Sequence, residues 1–166
     1  MSKQPATSRA LWQSLALVCA LAGSTMVNSA AFAGECPAGK MKADAREKVD
    51  FKPVGVTDVT LGSINLEKQP ANLKDRELRF RKLTIEPGGI VPWHSHDNRP
   101  AMIYIVSGEV VEYASNCAVP IVHKAGDIAP ERNGTSHWWK NTGNATAVLI
   151  SVDLVPVDAK MDDHMM

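Results

Sequence analysis

Several things are scarce in this chain, and each scarcity removes a class of explanation. There is no charge surplus: 18 lysines and arginines balance 18 aspartates and glutamates. A nucleic-acid partner is therefore not expected. No sustained helical periodicity, no internal repeat and no low-complexity tract is present, which argues against a helical bundle, a solenoid or a disordered chain. Cysteine is rare, with three in 166 residues, so a cysteine-dense framework is excluded.

What is present begins with an export signal. Lys3 and Arg9 supply a short positive region, and an apolar stretch follows from Ala10 to Val27, broken by Gln13, Ser14, Ser24 and Thr25. Ala31-Phe32-Ala33 then offers the small-x-small pattern of a signal-peptidase site. Cleavage would make Gly34 the first mature residue. The alternative is a membrane anchor, for which the run is short and soft against the roughly 20 residues of a span. A lipoprotein would need Cys19 in the right setting, and Val18 precedes it where a small residue is expected. Residues 1–33 are read as a signal peptide, and the protein as periplasmic or secreted without a stable membrane anchor. The mature chain would carry 16 basic and 18 acidic residues and two cysteines, Cys36 and Cys117. In an oxidising compartment these two are expected to pair; two free thiols are the alternative.

Residues 34–57 read as an N-terminal arm, 58–156 as a barrel and 157–166 as a loose tail. Within the barrel, short β-rich runs alternate with Gly, Pro and Asn breaks, the rhythm of an all-β sandwich or barrel. The runs are Val59–Leu66, Glu77–Ile85, Ile90–His96, Ala101–Val106, Glu109–Tyr113, Ile121–His123, His137–Asn141 and Thr146–Val155. The main breaks are Glu86-Pro87-Gly88-Gly89, Ser107-Gly108, Ala125-Gly126-Asp127 and Asn133-Gly134.

His94 and His96 stand two apart, so on a strand both imidazoles project from one face. His137 opens a later run that a barrel can bring alongside. Three neutral imidazoles suit a divalent transition metal (Fe, Zn, Cu, Ni or Mn) better than Mg or Ca. A lone HxH pair among five histidines is by itself weak evidence; the framing residues add to it. Gly88, His94, His96 and Gly108 fall in register with G(X)5HXH(X)3–4E(X)6G, and Gly126, Gly134, His137 and Asn141 with G(X)5PXG(X)2H(X)3N. In these two motifs the chain resembles the cupin superfamily, over about Val59 to Val155. The resemblance implies a double-stranded β-helix (jelly-roll) barrel with a metal on His94, His96 and His137.

Two positions depart from the pattern. Arg132 replaces a turn proline. Ala101 occupies the register of the glutamate ligand, with Pro100 at the shorter spacing, so the usual fourth ligand is missing. An ion on three neutral imidazoles would keep its full charge, attract an anion and leave positions open. Glu131, in the turn before His137, is the better substitute ligand; otherwise it is a solvated loop acid. Asp97 should face away.

Ala101, Ile103 and Ile105 are expected to face the interior, and Met102 and Tyr104 the outside. Trp139 shares a face with His137 and should line the pocket, whereas Trp93 and Trp138 should pack elsewhere. Arg99 is either an anion clamp or part of a structural ion pair. His123 reads as solvated. Met161, His164, Met165 and Met166 offer soft donors at the tail. No acid or base can be placed inside the barrel from sequence, and no catalytic residue is assigned.

Three functions fit. Similar three-histidine cupins include iron dioxygenases, which implies a metal-dependent dioxygenase acting on a small anionic or enolisable substrate. The absence of a visible proton-transfer group favours a non-catalytic metal or small-ligand binding protein. A sugar-nucleotide isomerase, which export makes least suitable, is the third. A homodimer is expected from the exposed β-branched and aromatic faces of a small barrel.

Overall fold

The computed structural model describes residues 34–157. The proposed signal peptide, Cys19 and the methionine-rich tail from 158 onward lie outside the described residues. Eight strands form one antiparallel sheet, with no helix among the described residues: β1 Val54–Asn65, β2 Glu77–Ser95, β3 Ala101–Ser107, β4 Glu109–Ala114, β5 Ile121–Lys124, β6 Ile128–Glu131, β7 Ser136–Lys140 and β8 Ala147–Val155. The order across the sheet is β5-β4-β7-β2-β8-β3-β6, with β1 added beside β2. This sheet curls into a nearly closed barrel, the all-β jelly roll expected.

Strand β2 organises the sheet. Its first half pairs with both β1 and β8, and its second half pairs with β7. The Glu86-Pro87-Gly88-Gly89 break does not end the strand. Val56 pairs with Ile85 and Val54 with Ile90, so residues 86–89 form an excursion opposite Gly55. Asn141 pins it: its side-chain amide donates to Ile85 O and Ala145 O, its backbone N–H donates to Gly89 O, and its carbonyl accepts from Gly88 N–H. Gly88 has a φ of 78°, a left-handed conformation glycine adopts without penalty. Two sequence runs are thus one strand with a bulge.

The sequence reading missed β6, four residues containing Pro130. Proline cannot donate to a ladder, and this strand sits at the end of the sheet order, where that loss is tolerated. Strand β1 begins at Val54, earlier than its sequence signal. Residues preceding it cross the loop after β4: Met41 bridges Cys117, Lys42 N–H donates to Asn116 O, and Ala118 N–H donates to Lys40 O.

Burial alternates along β3 and β8 as one inward face requires. Ala101, Ile103 and Ile105 are buried with Leu83, Ile85, Val91, Val110, Trp139 and Leu149, while Met102 and Tyr104 are exposed. A smaller cluster of Ala114, Cys117 and Ile121 packs with Cys36 and Val119. Cys36 and Cys117 are disulfide-bonded, their Cα atoms 5.7 Å apart.

Candidate metal centre

Three imidazoles and one carboxylate converge at one end of the barrel. His94, near the end of β2, lies directly opposite His137 of β7, with a bulge between this pair and Val91. His96 follows the end of β2, and its N–H donates to Thr135 O. The His137 Nε2 atom is 3.0 Å from His94 Nε2 and 3.1 Å from His96 Nε2. Glu131, the last residue of β6, reaches His96 Nε2 at 3.0 Å and His137 Nε2 at 3.3 Å. Four ligand atoms, one from each residue, lie within 4.8 Å of one another, a group that could hold a metal ion.

The far side of each ring fixes its tautomer. His94 Nδ1 lies 2.9 Å from the Pro92 carbonyl, His96 Nδ1 lies 2.7 Å from the Arg99 carbonyl, and His137 Nδ1 lies 2.6 Å from Glu112 Oε1. Each partner is an acceptor, so each Nδ1 carries the proton. The Trp139 indole N–H approaches His137 Nδ1 at 3.2 Å, the longer and weaker of its two polar contacts. With the rings neutral, all three Nε2 atoms present lone pairs to each other and to Glu131, and no proton lies between them. A cation satisfies that arrangement. Separations of 3.0 to 3.3 Å match neighbouring corners of an octahedron with bonds of about 2.1 Å.

In the metal-free cluster, burial opposes charge on the imidazoles while the two carboxylates favour it. Burial, together with the neighbouring His137 and His96, pushes His94 well below the ordinary histidine range. Burial disfavours charge on His137, but Glu131 and Glu112 outweigh it and raise that ring. Burial would lift Glu131, and the charges of His137 and His96 hold it down instead. Glu112 is likewise pressed up by burial but held at about 2 by His137 and His123.

The position of the carboxylate missing from the first motif has an acidic neighbour across the sheet: Ala101 on β3 pairs with Glu131 on β6. The expectation of a site bearing only neutral ligands is corrected. With Glu131, the net charge on a bound divalent ion would be +1. Glu131 is buried rather than solvated. The acids that sequence could not place are found here: Glu112, Glu131 and Asp153 are all buried. His123 is corrected too: it is fully buried, bonded through Nε2 to Glu112 Oε2 at 2.8 Å and stacked on Trp139. Its signal was present, since Ile121 and His123 alternate with exposed Val122 and Lys124.

Arg99 gives its carbonyl to His96 and its guanidinium to Asp153, at 3.0 Å. Asp153 also binds Arg79 and Arg81, and Arg81 binds Asp58. The structure thus gives the Arg99 side chain to a buried ion-pair cluster. Asp97 is exposed. Trp138 stacks on Tyr113 and meets Phe51 edge-on, away from the imidazoles. A small cavity of about 20 Å³ is lined by Arg81, Leu83, Val91, His94, Ile103, Glu131, Trp139 and Leu149. That is room for about one water-sized group, and its wall is mainly apolar.

A family model described as a cupin domain matches residues 81–153. An oxalate-binding protein of Thermotoga maritima is 36% identical over 73 residues, which are 44% of this chain and 59% of that protein. Nectarin-1 of Nicotiana langsdorffii x Nicotiana sanderae is 28% identical over 123 residues, 70% of this chain and 53% of that protein. Germin-like protein 5-1 of Oryza sativa subsp. japonica is 30% identical over 104 residues, 58% of this chain and 47% of that protein. The chain spans about half the length of the curated relatives it matches.

Proposed function

Since the chain belongs to the cupin superfamily, we propose that it is an exported protein whose His94, His96, His137 and Glu131 hold one divalent transition metal for a small chelating anion. The observation that carries this reading is the convergence of three bare Nε2 atoms and a carboxylate with every Nδ1 tied to an acceptor. With four protein ligands, a bound ion would keep positions open for a small chelating anion such as a dicarboxylate, and a site charge of +1 would favour one. The Thermotoga maritima relative, an oxalate-binding protein, supports the same class. A bound metal supplies Lewis acidity toward the coordinated oxygens.

Counting positions bears on the dioxygenase reading. A chelating substrate and dioxygen would together need more open positions than four protein ligands would leave, which favours binding over dioxygenase chemistry. Export is supported by the leader pattern and by the disulfide. Pairing of two copies is supported by an apolar row on the outer face, where Phe80, Val152 and Met102 are register partners and Phe80 and Met102 are exposed.

The test is elemental analysis of the chain exported by its own host, beside His94→Ala. Stoichiometric metal in the wild type and little in the variant is expected; equal metal in both refutes the site. Calorimetric titration with oxalate should then give heat with the loaded protein alone. Oxygen uptake on dicarbonyls, thiols and phenolics would revive the dioxygenase. Sedimentation of wild type beside Met102→Glu tests the pairing.

A further inference from the structure

Behind His137 a second chain of hydrogen bonds runs outward. Glu112 accepts from His137 Nδ1 through one oxygen, at 2.6 Å, and from His123 Nε2 through the other, at 2.8 Å. Because a carboxylate only accepts, the His123 proton sits on Nε2 and its Nδ1 presents a bare lone pair. That Nδ1 is buried and has no hydrogen-bond partner. A buried acceptor left without a donor is costly, so such an atom calls for an explanation.

The backbone that covers it is Gly34. A Cβ built on Gly34 would lie 3.2 Å from His123 Nδ1 and 2.2 Å from the Ile128 carbonyl oxygen, and the φ there is +114°. Only glycine fits so close an approach. Gly34 is half-buried and lines a cavity of about 330 Å³ together with Glu112, Glu35 and Arg132. A residue beside the orphan acceptor is thus the one that cleavage after Ala33 would make N-terminal.

We propose that Gly34 is the N-terminal residue of the working protein and that its α-ammonium group donates to His123 Nδ1, so that processing completes the chain Gly34–His123–Glu112–His137. This rests on the exported reading given above. An internal amide has one N–H with a fixed direction. A terminal ammonium has three donors and can swing about one backbone bond, with Ile128 O as a second acceptor. Its positive charge suits a position in the cavity that Glu112 also lines. Peptide cleavage supplies the group by hydrolysis of the 33–34 bond: water adds, Ala33 keeps the carboxylate and Gly34 keeps the amine.

The test uses the processed, exported chain. N-terminal sequencing should begin at Gly34. Its α-amine should acylate about ten-fold more slowly than in His123→Phe, the factor one charge-assisted bond supplies. A chain bearing one extra alanine before Gly34 keeps the barrel intact; its His123 Nδ1 should give the nitrogen NMR shift of a bare acceptor, and the processed chain that of a bonded one. A start other than Gly34 overturns the proposal. So does a Gly34 start with equal acylation rates and an unchanged shift, a result that leaves export and the metal site standing. A protected amine on a chain that binds no metal would support this bond while refuting the metal reading.

Discussion

Ala101 and Glu131 are direct partners across β3 and β6, and the carboxylate missing from one is present on the other. The pair occupies one spot on the barrel wall, approached from two strands. As direct cross-strand partners, the two side chains project from the same face of the sheet.

The exchange can be reversed. Glu131→Ala should lower metal affinity by at least about 10- to 100-fold, the range for losing even an outer-shell partner of a ligand. Ala101→Glu in that background should recover most of the loss. Competition against a chelator of known affinity measures both. No recovery would mean that position 101 cannot reach the ion.

Glu112→Gln keeps the shape behind His137 and removes a charge. His137 then loses a strong acceptor for its Nδ1 proton, and metal affinity should fall by about 10-fold or more while the melting temperature changes little. The absorption spectrum of the cobalt-loaded protein should shift, a change that simple destabilisation would not cause.

The disulfide closes a stretch of 81 residues. Replacing Cys36 and Cys117 by serine should cost about 4 kcal/mol in the chain-entropy model. Denaturant unfolding with and without reductant gives the value, and a double variant as stable as the oxidised wild type would refute it. Cys117 is fully buried, so Cys117→Ala is the cleaner second comparison.

Asp153 sets an acid limit. Burial alone would raise its carboxyl, but Arg79, Arg81 and Arg99 outweigh that and hold it below the ordinary aspartate range. A depressed folded pKa contributes stability that is complete above the unfolded value near about 3.9 and disappears as pH falls through the folded one. Asp153→Asn leaves three guanidiniums short of a counter-charge and should cost about 3–5 kcal/mol at neutral pH. In urea titrations the gap between wild type and variant should narrow as pH drops below about 4. A gap that stays constant would show that the ion pairs do not carry it.

Much of this was legible in the residues. The strand rhythm gave an all-β barrel, and parity within each run put Ala101, Ile103 and Ile105 inside and Met102 and Tyr104 outside. Periodicity of two is local chemistry, so a single chain displays it. The three histidines were legible as well, because glycines and Asn141 at fixed offsets frame them, and the bulge that Asn141 pins explains why those offsets matter.

The acids were not legible in the same way. With β6 unread, Glu131 had no parity and was placed in a turn. Glu112 and His123 lay on strands with clear alternation, yet nothing in the sequence states that β4 adjoins both β5 and β7. Sequence determines which face of a strand a side chain takes, since that follows from the backbone pleat. Which strand lies opposite is decided only when the sheet closes, because cross-strand neighbours such as Glu112 and His137 meet through pairing between residues far apart in the chain. That closure turned three framed histidines into a centre with one carboxylate beside them and another behind.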